Sequence, residues 1–383
     1  MILENELIDL LELKGKLMAE ILENSCKNVF VPKFKENFDK AINRVYAWYE
    51  GQVVDRVPIC FIGHNSDLAF SNQESFSKDG SKRWFDSERV VNDYINFAKN
   101  SPFLAETFPV FIPNLGPDVY AAFYGCELVF GKTTSWSKPC VKKWEDISKL
   151  NFNKNNEYFK KIEELTFCAV QKCENNFFVG YTDLHPGLDC VAAWRGAEQL
   201  CFDLIESSEK VSHLIKIASS DFLEIFNYFD SILKKHNHPS ITWMGIPSFE
   251  KMHIPSCDFA TMLSPKQYME FVLPTVQNEV RHIKHNVFHL DGRGAVRHID
   301  MLLDIPEINA IQWVQGVGDD EPIMKWLELI KKIQSAGKSV VVNLKKQELE
   351  EFIDNMKPEG LFLYIDEQNE QEQEEIIERV KKW

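Results

Sequence analysis

Eight short apolar runs, each followed by a polar loop and then a longer stretch of helical pattern, constrain this chain more than any other feature. They read VPICFI (57–62), FPVFIP (108–113), FFVGYT (177–182), ITWMGI (241–246), VFHL (287–290), AIQWV (310–314), SVVVNL (339–344) and GLFLYI (360–365). Near-continuous apolarity marks strands covered on both faces, the habit of parallel strands in α/β folds. The stretches between them, such as EPIMKWLELIKKIQSAG, carry apolar residues at three- and four-residue spacing and read as helices. Eight such strands alternating with helices predict a (β/α)8 TIM barrel. The first fifty residues are also helical in pattern, from Leu3 and Leu7 through Leu22 and then to a second helix ending at Gly51. The expected organisation is an N-terminal helical extension, residues 1–50, packed on a barrel formed by residues 51–383.

Charge narrows the partners. The 383 residues carry a formal net charge of −15, and such a field repels phosphate backbones and anionic headgroups. Neither nucleic acid nor a membrane is an expected partner. No apolar stretch is long enough for a membrane span, and the N-terminus is acidic where a signal peptide is basic, so a cytoplasmic location is expected. Nine scattered cysteines with no C-x-x-C pair predict reduced thiols, most of them behaving as small buried hydrophobes.

In barrel enzymes the reacting groups sit at the C-terminal ends of strands and in the loops that follow. Here those positions hold Asp183 and His185 after the third run, His253, Cys257 and Asp258 after the fourth, and His289 and Asp291 at the fifth. Gln312 and Trp313 follow at the sixth, and Asp366 with Glu367 at the eighth. His289 and Asp291 form the sharpest pair, because residues i and i+2 of a strand point to the same side. An imidazole and a carboxylate so placed converge on one ion or one substrate atom, and zinc accepts that donor mixture. The alternative is that His289 makes a buried hydrogen bond while Asp291 caps the helix begun by DGRGAVRH. Asp258 lies well before the cap Ser264 and has no capping task of its own. Cys257 would act as ligand or nucleophile only with a lowered pKa. Trp313 is placed to stack on a flat or cationic ligand. The two G-x-G pairs, in HLDGRGAVRH and VQGVGDDEP, lack the full dinucleotide fingerprint.

Several blocks resemble the uroporphyrinogen decarboxylase superfamily over nearly the whole chain. AINRVYAWYEGQVVDRVPI is similar to its entry helix and D-R-x-P turn, and NLGPDVYAAFYGCELVFGKTTSW, YTDLHPGLDCVAAWRGAEQLCFDLIESSEKV, CDFATMLSPKQYMEFVLPTVQ and FHLDGRGAVRHIDMLLDIPEINAIQWVQGVG are similar to consecutive blocks of a bacterial branch of it. The resemblance implies the barrel fold and one of two activities, porphyrinogen decarboxylation or methyl transfer involving corrinoid proteins. The first strand continues as VPICFIGHNSD without the arginine pair that grips porphyrinogen carboxylates, which favours methyl transfer. In the thiol-using methyltransferases a His-x-Cys pair and a later Cys hold zinc. Those positions fall on His289, Asp291 and the region of Asp366 and Glu367, so carboxylates replace thiolates.

The resulting expectation is a methyltransferase moving a methyl group from a small-molecule donor to or from a corrinoid carried by a separate protein. His289, Asp291 and Asp258 are the expected catalytic residues, and His289, Asp291, Cys257 and Asp366 the expected ligands of a divalent metal, zinc first. Asp183, His185, Gln312, Trp313, Asn114 and Tyr181 are expected to bind substrate. The alternatives are a decarboxylase of a smaller acid or porphyrinogen-like substrate, and a barrel that binds a ligand without chemistry.

Overall fold

The structure is a computed structural model that describes residues 29–62, 81–316 and 322–383. The first helix expected in the extension, around Leu3 to Leu22, lies outside the described residues, as does the GHNSD segment after the first strand. In chain order the strands are β1 (Ile59–Ile62), β2 (Val110–Phe111), β3 (Leu128–Phe130), β4 (Ser135–Ser137), β5 (Phe178–Val179), β6 (Met252–His253), β7 (His285–Asp291), β8 (Ala310–Val314), β9 (Ser339–Leu344) and β10 (Leu361–Asp366).

Six of them form one parallel sheet in the order β1-β10-β9-β8-β7-β6, and β2 pairs with β5 separately. The chain is therefore an α/β protein built on a curled parallel sheet with many helices, and regular pairing does not run through all eight expected strands. Beside β1, the backbone N–H of Glu106 donates to the Ile59 carbonyl (2.8 Å), and beside β5 that of Tyr181 donates to the Ile241 carbonyl (3.0 Å). Gly180 is required at this approach, since a Cβ there would stand 2.7 Å from the Ile241 carbonyl oxygen.

The run ITWMGI is not a strand. Gly245, at φ +71°, donates its N–H to the Thr242 carbonyl (2.8 Å), closing a turn. Ile241, Met244 and Ile246 are apolar because they pack in an inner cluster with the helix Phe38–Tyr49 and the side chains of Val287, Ala310, Val341 and Phe362. Burial produced the pattern, and pairing did not. The strand β6 lies instead in the polar-looking segment that follows, and there His253 is buried, its Nε2 3.3 Å from Glu279 Oε2. His253 is accordingly a core residue and not part of the rim.

Alternation along the strands separates two cores. Leu290, Trp313, Val342 and Leu363 face the outer helices, whereas the inner row faces the Phe38–Tyr49 helix, whose Trp48 ring meets Phe362 at 5.2 Å. Ser339, the first residue of β9, donates its hydroxyl to the Trp48 carbonyl, so this helix covers the end of the sheet opposite the strand C-termini. Only the C-terminal ends are left for a site.

Cys126 and Cys140 are joined in a disulfide, with Cα atoms 5.4 Å apart, which corrects the expectation of reduced thiols for these two residues. They flank the β3–β4 hairpin, and the Lys138 N–H to Glu127 carbonyl bond (2.8 Å) continues its pairing far enough to bring them together. No helix among the described residues is long and apolar enough to cross a membrane.

Two buried histidines make a pH prediction. His238 Nδ1 accepts from the Val179 N–H (3.1 Å), and His285 stacks on Tyr49 at 4.0 Å; burial pushes both imidazoles down to about 3. Above the unfolded-state value near ~6.5 both states are neutral. Below it the unfolded chain takes up protons that the folded chain refuses, and stability falls until about pH 3. Each histidine contributes up to ~1.4 kcal/mol per pH unit across that window. A His285→Gln variant should therefore lose roughly that much of the acid dependence of urea unfolding between pH 6 and pH 4. An unchanged slope would show that His285 is not held neutral.

Candidate active site

The end of β7 carries His289 and Asp291 on one side, as their spacing requires. His289 lies opposite Gln312 of β8, and its Nδ1–H donates to Gln312 Oε1 (2.6 Å). Gln312 is buried, so the bond fixes the ring and leaves Nε2 as the nitrogen with a lone pair to offer. The Trp243 ring stands edge-on to His289, with centroids 5.2 Å apart. Asp291 Oδ1 is buried and has no hydrogen-bond partner. Burial and the neighbouring Asp258 raise the Asp291 carboxyl, while His289 opposes them.

Asp258 arrives from the 3-10 helix Asp258–Met262. Asp189 holds that turn in place, its Oδ2 accepting from the Asp258 N–H (2.9 Å) and its Oδ1 from the Phe259 N–H (3.0 Å). It thus caps the short helix from outside, satisfying amides that would otherwise be orphans. Burial and the adjacent Asp258 push Asp189 up to about 6. The glycines of DGRG make room for the same turn. A Cβ on Gly292, at φ +83°, would lie 2.7 Å from Thr261 Cγ2, and one on Gly294 would lie 2.9 Å from the Thr261 carbonyl oxygen. Replacing Gly294 by alanine should therefore cost about 1–3 kcal/mol through overpacking and displace the turn that carries Asp258. Denaturant unfolding checks the stability; an alanine variant as stable as the parent would mean that the turn moves freely.

As a result Asp258, His289 and Asp291 each present one ligand atom, and these atoms lie within 4.8 Å of one another. A nitrogen and two carboxylate oxygens fit a divalent cation of zinc type, and the Asp291 carboxylate also has a buried oxygen with no hydrogen-bond partner. Beside them Asp183 Oδ2 meets His185 Nε2 at 2.6 Å, and His185 Nδ1–H donates to Ser256 Oγ (2.6 Å). Burial works against a charge on this ring, but Asp183 in contact, helped by Asp258 and Asp189, pushes it up to about 10. A cavity of about 740 Å³ opens beside the group, with Asp258, His185 and Asp189 in its wall.

Other expected site residues are placed elsewhere. Cys257 is buried in the outer core, where burial first and then Asp189 and Asp258 push its thiol well up, and it is not in the group of ligand atoms formed by Asp258, His289 and Asp291. Asp366 ends β10, three strands from β7 in the sheet order, and is not in the ligand group. Trp313 faces the outer helices and packs on Trp326 at 4.6 Å, since its neighbour Gln312 takes the inward position. Tyr181 is buried with its hydroxyl donating to the Met252 carbonyl (2.9 Å). Asn114 turns on itself, its Oδ1 accepting from the Gly116 N–H (2.7 Å). Asp189 was not expected. In the sequence it is an acid in the first turn of the helix Gly187–Arg195, an ordinary position that favours the helix dipole, and nothing there marks its second task.

No protein-family model matches the chain, and no curated protein matches it. Among solved structures it is similar to a methyltransferase from Methanosarcina mazei, with a TM-score of 0.59 and 12% sequence identity over 89% of this chain and 98% of that one. At that identity the likeness establishes a shared fold.

Proposed function

We propose that the chain is a methyltransferase of the uroporphyrinogen decarboxylase-like type, centred on Asp258, His289 and Asp291, which moves a methyl group between a small substrate and a corrinoid on a separate protein. The observation that carries this is the convergence of three ligand atoms from two elements at the strand ends, beside a cavity of substrate size, on a fold shared with a methyltransferase. The six-stranded sheet and the β2–β5 pair are taken together as one closed eight-stranded barrel, supported by the bonds from Glu106 to Ile59 and from Tyr181 to Ile241. Asp258, His289 and Asp291 would hold a divalent cation, zinc first, which when bound supplies Lewis-acid polarisation of a substrate heteroatom.

The chain's own residues then have separate tasks. Gln312 fixes the tautomer and angle of His289, and Asp189 sets the position of Asp258 through two amides. His185, braced by Asp183 and Ser256, would when protonated partly offset the carboxylates that gather at this edge. The Trp243 ring covers one side of His289. A direct test is to incubate the full chain with cob(I)alamin and a panel of small methyl donors, following the visible spectrum as the methylated corrinoid forms. Donor-dependent methylation that His289→Ala abolishes is the expected result. Methylation with no donor, or equally fast in the variant, would remove the proposal.

A further inference from the structure

The cavity beside the proposed centre has a lopsided charge. Asp118, Asp189, Glu198 and Asp258 line it, and no lysine or arginine is among its described lining residues. The one basic group there, His185, has both ring nitrogens engaged, with Asp183 and with Ser256. Asp118 Oδ2 accepts from the Ser137 N–H (2.8 Å), and Asp189 accepts from two amides, bonds that orient these carboxylates without cancelling their charge. The rest of the wall is mainly apolar, including Ala121, Ala192, Ala193 and Phe259. At the mouth Phe202 and Met262 are 54% and 65% exposed.

An anion entering this space meets several like charges and loses its water to apolar walls, so it is rejected twice. A compact, strongly hydrated cation satisfies the charge but not the walls. A cation whose own surface is mostly hydrocarbon satisfies both, and the aromatic rings of Phe202 and Phe259 offer it further attraction. We propose that this cavity binds small organic cations with an apolar body, of the alkylated ammonium class. The inference rests on the function proposed above only in treating the cavity as the substrate's side of the centre. With Asp258 committed to a metal ion, Asp118, Asp189 and Glu198 still face the ligand.

The test uses three probes of nearly equal shape: choline, its neutral counterpart 3,3-dimethylbutan-1-ol, and the anion 3,3-dimethylbutanoate. Each is titrated calorimetrically into the full chain, once after chelator treatment and once after loading with zinc. Choline should bind at least ~10-fold more tightly than the alcohol, and the butanoate should not saturate. In an Asp118→Asn, Glu198→Gln double variant the preference for choline should narrow while the alcohol binds as before, which shows that the cavity is intact. Equal affinity for choline and the alcohol, tighter binding of the butanoate, no binding of any probe, or a double variant that keeps the full preference would each overturn the inference. Zinc content measured in the same samples separates the two proposals. A cation preference without zinc uptake upholds the cavity and removes the metal centre, and zinc uptake without a cation preference does the reverse.

Discussion

Replacing Glu106 by glutamine is expected to destabilise the fold by about 3–5 kcal/mol, the cost of leaving buried cations without their partner. Glu106 is 1% exposed. Its Oε1 accepts from Arg44 Nη1 (2.9 Å) and Arg56 Nη2 (3.0 Å), and its Oε2 from Arg56 Nη1 (2.6 Å) and the Ile59 N–H (2.7 Å). Lys35 is buried nearby, its Nζ donating to the Phe103 carbonyl (2.6 Å), and burial pushes it down to about 8. A neutral amide of the same shape would leave this positive group short of one charge and the first amide of β1 with a weaker acceptor. Arg44 keeps Asp55, whose oxygens lie 2.5 and 2.6 Å away, so the damage centres on Arg56 and Lys35. Urea unfolding of parent and variant measures the loss; a change below ~1 kcal/mol would mean that the cluster is solvated like a surface pair.

The second large effect falls on the metal. A His289→Ala variant should lose more than ~100-fold in affinity for zinc, beyond the ~10–100-fold typical of supporting residues. Gln312→Ala, which removes only the brace on Nδ1, should fall within that lower range. Asp291→Ala should match His289→Ala, and it also removes a buried carboxylate oxygen that has no hydrogen-bond partner. Because both carboxylates must be ionised to bind a cation, affinity falls as pH falls. Burial and Asp258 raise the Asp291 carboxyl, so the decline begins at a higher pH than for an ordinary aspartate. Zinc titrations against a competing chelator distinguish these outcomes. Equal affinities in parent and His289→Ala would place any bound metal elsewhere.

Much of this was legible in the sequence where one physical rule acts alone. β8 and β9 coincide with their apolar runs, since strands buried on both faces leave little room for another pattern. At 241–246 the rule fails because an irregular turn buried under the Phe38–Tyr49 helix is as apolar as a strand. β6 escapes for the opposite reason, being two residues long inside a polar stretch. In the site, period-2 alternation brings His289 and Asp291 together and also explains why Gln312 and Trp313 never share a face, so both could not meet one ligand. The part played by Asp189 depends on a contact across 69 residues, and that of the DGRG glycines on a neighbouring turn. Neither follows from local pattern.

The most direct measurement is a crystal structure of the zinc-loaded chain with anomalous data collected on both sides of the zinc edge. The expected result is one strong peak bounded by His289 Nε2 and by carboxylate oxygens of Asp258 and Asp291, with Gln312 still bonded to His289 Nδ1. Cys257 and Asp366 should lie outside its coordination sphere. No peak at the end of β7, or a peak held by other residues, would contradict the assignment of this centre.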